Sequence, residues 1–357
     1  MPADETRGTS PARHLSPGRD LSPAAAEDIL RVEGLTMRFT GGAGLFGRRN
    51  RATVTAVDDV DLVVRRGETL GLVGESGCGK TTLGRCILRA HKPTAGRLVY
   101  RRADGTEVDL AALSRAELRP LRTEIRTVFQ DPNSSLNPRM TVQQIVAEPL
   151  IVNNLASGSE VKDRVGEALR RCGLRPELMR RYPHAFSGGE RQRIGIARAL
   201  VTEPRLVVAD EAVSALDVSV RSQILNLLED LQDELGLTYV FISHDLSVIQ
   251  HLCDRVAVMY LGRIVEEAET EDLFERPRHP YSEALLRSVP RPDPRLRRRD
   301  DVLPAGEIAT PDQAFTGCRF QPRCRYAVDL CAQVEPATVP RCHLAGELEL
   351  DGVYTTI

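Results

Sequence analysis

A chain of 357 residues has room for one large α/β domain with an appendage, or for two domains. Its formal net charge of −2 gives no global attraction to nucleic acid or acidic lipid, and no apolar run approaches the ~18 residues that a bilayer span needs. No charged-then-apolar leader opens the chain, so it is expected to stay in the cytoplasm, where its eight cysteines read as reduced thiols or ligands rather than disulfides.

Residues 1–27 are rich in Pro, Ser, Ala and Arg without periodicity, which predicts a disordered tail. A small, mostly β segment is expected over 29–64, interrupted by a glycine- and arginine-rich insertion at 41–51. Leu70-Gly71-Leu72-Val73 predicts a buried strand and 82–88 a helix. Between them runs Gly74-Glu75-Ser76-Gly77-Cys78-Gly79-Lys80-Thr81-Thr82, the G-x-x-x-x-G-K-[ST] phosphate-binding loop in the strand–loop–helix context it requires. Its glycines let backbone N–H groups curl around phosphate oxygens, and the helix N-terminus adds positive charge. Lys80 is expected to reach the β- and γ-phosphates, and the Thr81 hydroxyl to ligate Mg²⁺. Lys80 is one of only three lysines beside many arginines, and a compact point charge suits a phosphate contact.

Further along, strands are expected over 96–100 and 124–130. The stretch 141–183 reads as helical, with Val161, Val165, Leu169 and Cys172 at helical spacing. A helix over 189–200 precedes a strand over 206–209 that ends in Asp210 and Glu211. Asp210 is placed to hold Mg²⁺ and Glu211 to polarise an attacking water; an acidic turn after a strand is the plain alternative, weakened by the phosphate loop upstream. An amphipathic helix over 218–235, strands over 239–242 and 256–260, and a short helix after His279-Pro280 complete the core. Strands alternating with helices predict an α/β sheet covered by helices.

Phe186-Ser187-Gly188-Gly189-Glu190 opens the 189–200 helix, and here the chain resembles the ATP-binding cassette (ABC) family, whose signature is L-S-G-G-Q. Phe186 and Glu190 depart from that pattern, while the inner Ser-Gly-Gly is intact. The resemblance extends to Gln130 as the Q-loop, to Ser214-Ala215-Leu216-Asp217 as the D-loop and to His244 as the switch histidine. It implies the family's P-loop fold over 28–267, with a β-subdomain and a helical subdomain near 131–190. It also implies an ATPase using ATP and Mg²⁺. Gln130 and His244 would serve catalysis with Glu211, and Gln130 would also touch Mg²⁺. Ser187, Gly188, Gly189 and Asp217 would complete the site of a second subunit. Phe39 is the candidate for stacking on adenine, with Phe46 as its rival.

The segment 279–286, Leu303-Pro304-Ala305-Gly306-Glu307-Ile308 and Gly317-Cys318-Arg319-Phe320-Gln321-Pro322-Arg323-Cys324 look like the C-terminal extension of dipeptide/oligopeptide and nickel importer ATPases. Gly44-Leu45-Phe46-Gly47-Arg48 and Cys78 resemble the second of the two paired ATPases in such importers. The resemblance implies a sister ATPase, two permeases and an external binding protein as partners, at the cytoplasmic face of the membrane, with 133–140 in the permease groove. Peptide import is the reading; nickel chelates are the variant, and a soluble cassette ATPase acting on ribosomes or nucleic acid is the rival from another class. No doubled cassette, coiled-coil insertion or basic stripe supports the rival. A regulatory, non-hydrolysing subunit is disfavoured by the joint presence of Lys80, Glu211 and His244.

Residues 268–357 are expected to form the small extension. Arg291 opens a charged linker to Asp300, and Cys318, Cys324, Cys331 and Cys342 follow at C-x5-C-x6-C-x10-C spacing. Four thiolates in a Pro-rich segment suggest a metal staple. The absence of C-x-x-C pairs favours a [4Fe–4S] cluster over Zn²⁺, and the importer resemblance implies the same cluster. Cys86, Cys172 and Cys253 read as small apolar core residues.

Overall fold

The larger sheet sends alternate side chains into two separate apolar cores, the consequence of the two-residue period of a strand. Val207, Ala209, Tyr239, Phe241, Val256 and Val258 face one core; Leu206, Val208, Val240, Ile242, Ala257 and Met259 face the other. The computed structural model describes residues 27–40, 53–131, 135–288 and 315–353. The expected tail (but for Glu27), the 41–51 insertion with Phe46, residues 132–134, the linker from Arg291 and the 303–308 segment lie outside them.

In chain order the strands are β1 (Asp28–Thr40), β2 (Thr53–Arg65), β3 (Thr69–Val73), β4 (Ala95–Arg101), β5 (Glu107–Asp109), β6 (Ile125–Val128), β7 (Leu206–Asp210), β8 (Thr238–Ile242), β9 (Arg255–Tyr260) and β10 (Arg263–Glu269). The helices are α1 (Lys80–Ile87), α2 (Arg115–Glu124), α3 (Val142–Val152), α4 (Ser159–Arg171), α5 (Gly188–Leu200), α6 (Val218–Leu235), α7 (Leu246–Leu252), α8 (Thr270–Glu275), α9 (Pro280–Arg287) and α10 (Asp329–Gln333). β2-β1-β4-β5 form an antiparallel sheet. The second sheet runs β10-β9-β3-β8-β7-β6, parallel except for β10. The inner parallel strands β3, β8 and β9 are buried along their whole length because helices or the small sheet cover both faces.

One core is filled from α3 to α7, including Ile194, Ile224, Leu228 and Ile249; the other holds Leu83 and Ile87 of α1 with Leu30 and Val64 of the small sheet. The expected strand over 124–130 shortens to Ile125–Val128, because Glu124 closes α2. The Ser114 hydroxyl and the Glu117 carboxylate form a reciprocal capping box at the start of α2. β10, α7 and α8 are further elements absent from the sequence reading.

The last described stretch packs back on the core. The Arg341 amide donates to Val265 O in β10 and the Val353 amide to Phe274 O in α8, each at 2.7 Å. Arg263 and Arg319 both pair with Asp58 of β2, and both reach Glu335. No helix among the described residues is long and apolar enough to cross a membrane.

Candidate functional site

The chain turns sharply between β3 and α1. Gly74 has φ +149° and a Cβ there would lie 2.1 Å from Met259 O; Gly79 has φ +111° and its Cβ would lie 2.2 Å from Ala56 O. Only glycine fits at either place, so the loop is pressed between β9 and β2. Gly79 caps α1 without a side-chain hydrogen bond, which leaves the first amides of the helix facing outward. Ser76 and Gly77 are exposed; Cys78 is buried, and burial pushes its thiol pKa up. Lys80, only 6% exposed, donates to Gly74 O at 2.6 Å and Glu75 O at 2.9 Å.

Parallel pairing brings the ends of β7 and β8 beside this loop. Thr81 Oγ1 donates to Asp210 Oδ1 at 3.1 Å, while Thr82 is half-buried in the first turn of α1. Burial is the main cause raising the Asp210 pKa, opposed by the Thr81 bond, with the Glu211 charge adding to the rise. Glu211 takes a left-handed backbone, φ +49°, directly after β7. Its carboxylate accepts from Gln130 Nε2 at 2.7 Å and meets His244 Nδ1 at 3.0 Å. Gln130 follows β6 and His244 follows β8, so three adjacent strand ends deliver one polar network.

Gln192 braces this network from below, which the sequence reading did not anticipate. Its side chain, 1% exposed, donates to Ala212 O at 2.6 Å and Phe129 O at 3.3 Å, the neighbours of Glu211 and Gln130. Its place five residues after Ser187, on the inward face of an amphipathic helix, was the available signal.

Ser187 caps α5. Its hydroxyl accepts from Glu190 N at 3.3 Å, and the Glu190 carboxylate receives the Ser187 amide at 2.8 Å and the Ser187 hydroxyl at 2.9 Å. The Ser187 backbone bond, then its hydroxyl bond, lowers the Glu190 pKa. A Cβ on Gly189 would meet Val220 Cγ1 at 2.5 Å, so α5 lies close against α6, while Gly188 has open space. No hydrogen bond among the described residues joins Ser187, Gly188 or Gly189 to the loop at Lys80. Asp217 is exposed at the start of α6, without a side-chain cap bond. Phe39, 38% exposed near the end of β1, meets His91 edge-on with centroids 5.5 Å apart.

In the C-terminal stretch, Cys318, Cys324, Cys331 and Cys342 line one small cavity with His279, Phe320 and His343. Burial pushes the Cys318 and Cys324 thiols up to about 11. The donor set is right for a metal staple, but the side chains do not close a ligand shell: no group of three or more His, Cys, Asp or Glu among the described residues could hold an ion as placed.

Comparisons with known proteins give the family. Residues 57–214 match the ABC transporter family model, and residues 265–331 match the model of the oligopeptide/dipeptide transporter C-terminal region. The "Probable peptide ABC transporter ATP-binding protein" of Sinorhizobium fredii is 50% identical over 315 residues, covering 88% of this chain and 87% of that one. The dipeptide transport ATP-binding protein of Haemophilus influenzae is 49% identical over 309 residues, covering 86% of this chain and 92% of that one. Among solved structures, a dimeric post-hydrolysis state of the ATP-binding cassette MJ0796 bound to ADP and Pi aligns with a TM-score of 0.58 at 29% identity, over 68% of this chain and 98% of that one. The structure of cbiO1 from Clostridium perfringens, part of the cbiONQ transporter complex, aligns with a TM-score of 0.58 at 32% identity, over 70% of this chain and 91% of that one. The chain therefore belongs to the ABC transporter family, among the ATP-binding proteins that carry the oligopeptide/dipeptide transporter C-terminal region.

Proposed function

We propose that this chain is the ATP-binding and ATP-hydrolysing subunit of a peptide importer. It would work beside a sister ATPase on two permeases fed by an external binding protein. The observation that carries the reading is the Gln130–Glu211–His244 network, set next to the Thr81–Asp210 bond at the head of the Lys80 loop. Peptide cargo is supported by the matched C-terminal region and by the peptide-transport names of both relatives above.

On binding ATP, the outward amides of the loop and of α1 receive phosphate oxygens. Lys80 exchanges its bonds to Gly74 O and Glu75 O for the β- and γ-phosphates. Thr81, Asp210 and Gln130 are the residues that would hold Mg²⁺, which neutralises phosphate charge when bound. Glu211 orients the attacking water and takes up its proton, and His244 turns from Glu211 to the γ-phosphate. The α5 amides behind Ser187, Gly188 and Gly189, with Asp217, serve the site of the partner subunit, so ATP joins the two ATPases until hydrolysis. Phe39 is assigned to the adenine, and the residues after Gln130 to the permease.

For Cys318, Cys324, Cys331 and Cys342, shared lining of one cavity supports a metal site that closes when the thiols lose their protons. We assign it to a [4Fe–4S] cluster ahead of Zn²⁺. Iron, sulfide and zinc assays on anaerobically purified chain test the assignment, and metal-free protein refutes it.

Affinity purification from native membranes tests the importer reading. Two multi-span permeases and a second similar ATPase are the expected partners; ribosomal partners without membrane proteins would overturn transport and leave the ATPase chemistry standing.

A further inference from the structure

Glu75, the second residue of the phosphate loop, is held on three sides. Its carbonyl accepts from Lys80 Nζ within the loop. Its amide donates to the Tyr281 hydroxyl of α9 at 2.8 Å. Its carboxylate is forked by Arg323, with Nη1 to Oε2 at 2.9 Å and Nη2 to Oε1 at 2.8 Å. Two of these three holds therefore come from residues at least 206 positions away in sequence.

Arg323 is itself fixed. Its side chain is 7% exposed, and its guanidinium lies over the Tyr260 ring at 5.9 Å and the Phe320 ring at 5.8 Å. Phe320, 3% exposed, meets Tyr260 and Tyr281 edge-on at 5.4 and 5.5 Å, and those two tyrosines lie 4.5 Å apart. Tyr260 ends β9, and two residues earlier Val258 pairs with Val73, the residue before Gly74. The aromatic cluster thus gives the arginine a rigid seat against the strand that backs the loop.

We propose that Arg323 and Tyr281 are positioning residues for the phosphate loop, through which the C-terminal region sets the affinity of this chain for ATP. The proposal rests on the phosphate-loop reading of residues 74–82. An ionised Glu75 one residue from Gly74 puts negative charge where the triphosphate must come, and draws on the same loop segment that Lys80 grips. The Arg323 fork cancels that charge and fixes the carboxylate in one direction. The Tyr281 hydroxyl satisfies the one Glu75 amide, which fixes the peptide plane at the loop's entrance. Both residues act on Glu75.

The test is titration of the full-length chain with a fluorescent, non-hydrolysable ATP analogue and Mg²⁺. Arg323→Gln is expected to raise Kd about tenfold, the size of a coupled, half-buried charge pair. Arg323→Lys, which keeps charge without the fork, is expected to recover part of the loss. Glu75→Gln combined with Arg323→Gln removes both charges and is expected to return Kd to within about threefold of wild type. A role confined to holding the tail would lower Tm without that reversal. Unchanged affinity in Arg323→Gln, or a double variant weaker than the single, overturns the clamp. If Arg323→Gln does not fold, Tyr281→Phe carries the test: it keeps the ring and removes the acceptor, so weakened binding supports the clamp and unchanged binding overturns it. A wild-type chain that binds no nucleotide would instead sink the loop assignment together with the clamp.

Discussion

Gln130 and Glu211, from the ends of adjacent parallel strands, share a 2.7 Å hydrogen bond in which the amide donates to the carboxylate. His244 meets the other oxygen of the same carboxylate at 3.0 Å. A carboxylate held from both sides is fixed in place, with lone pairs left over to accept the water that the proposed base would orient. The network therefore gives a direct test of the base. Glu211→Gln keeps the size and a hydrogen-bonding oxygen yet cannot take a proton. Its kcat is expected to fall by roughly 10²–10⁴-fold, with nucleotide affinity within a few-fold of wild type. ATPase assays alongside nucleotide titration read both; normal turnover would remove Glu211 from the role.

Gln192 couples packing to the same network. Its amide spans Ala212 O and Phe129 O from a position 1% exposed. Gln192→Leu keeps similar volume but takes the donor from the buried Ala212 carbonyl and from the half-buried Phe129 carbonyl. Stability is expected to drop by about 1–3 kcal/mol. Because the two carbonyls belong to the neighbours of Glu211 and Gln130, kcat should fall more than KM rises. Chemical denaturation and steady-state kinetics distinguish this from a loss confined to folding.

Glu190 stands where the family's signature has glutamine, and its side chain has a local structural role. Its carboxylate closes the capping box of α5 by receiving both the amide and the hydroxyl of Ser187. Glutamine can close the same box through its carbonyl oxygen, so the fold does not require the charge. The charge does sit beside the α5 amides proposed to serve the nucleotide of the partner subunit. Glu190→Gln is expected to lower the KM for ATP of the assembled transporter by a few-fold, the scale of an exposed charge interaction. An unchanged or raised KM would separate Glu190 from the phosphate.

How much was legible in the sequence depended on how local each cause is. β7 and α6 could be read because an apolar run before Asp210 and a 3.6-residue stripe over 218–235 are contained within a few turns of chain. The phosphate loop was legible because its G-x-x-x-x-G-K-[ST] pattern is contiguous in the chain, although the contacts that demand Gly74 and Gly79 come from Met259 and Ala56. α2 was missed although Ser114 and Glu117 carry a capping-box spacing, because its helix has just Leu118 and Leu121 buried and no full apolar stripe. Arg323 lay beyond sequence reading altogether. It meets Glu75 across 248 positions, and no periodicity marks either partner.

His279 offers a stability test confined to the C-terminal region. It is 1% exposed and caps α9: Nδ1 accepts the Tyr281 amide at 3.0 Å, and Nε2 lies 3.0 Å from Arg341 O. These partners define the neutral ring with its proton on Nε2, and a second proton would have to displace the Tyr281 bond. Burial accordingly lowers its pKa from the ordinary 6.5 to about 4. The unfolded chain then binds the extra proton first, so this contribution is complete above pH 6.5 and is lost as pH falls towards 4. A separation of that size is worth roughly 3 kcal/mol. Glu266, whose carboxyl is raised by burial and accepts the His279 amide at 2.9 Å, contributes the opposite slope. The His279 share is therefore the difference between the wild-type chain and His279→Asn, which can still cap the helix through its side-chain oxygen. Wild type is expected to lose more stability than the variant between pH 6.5 and 4, measured by denaturation at stepped pH. Parallel curves would mean that the ring accepts its second proton without leaving its seat.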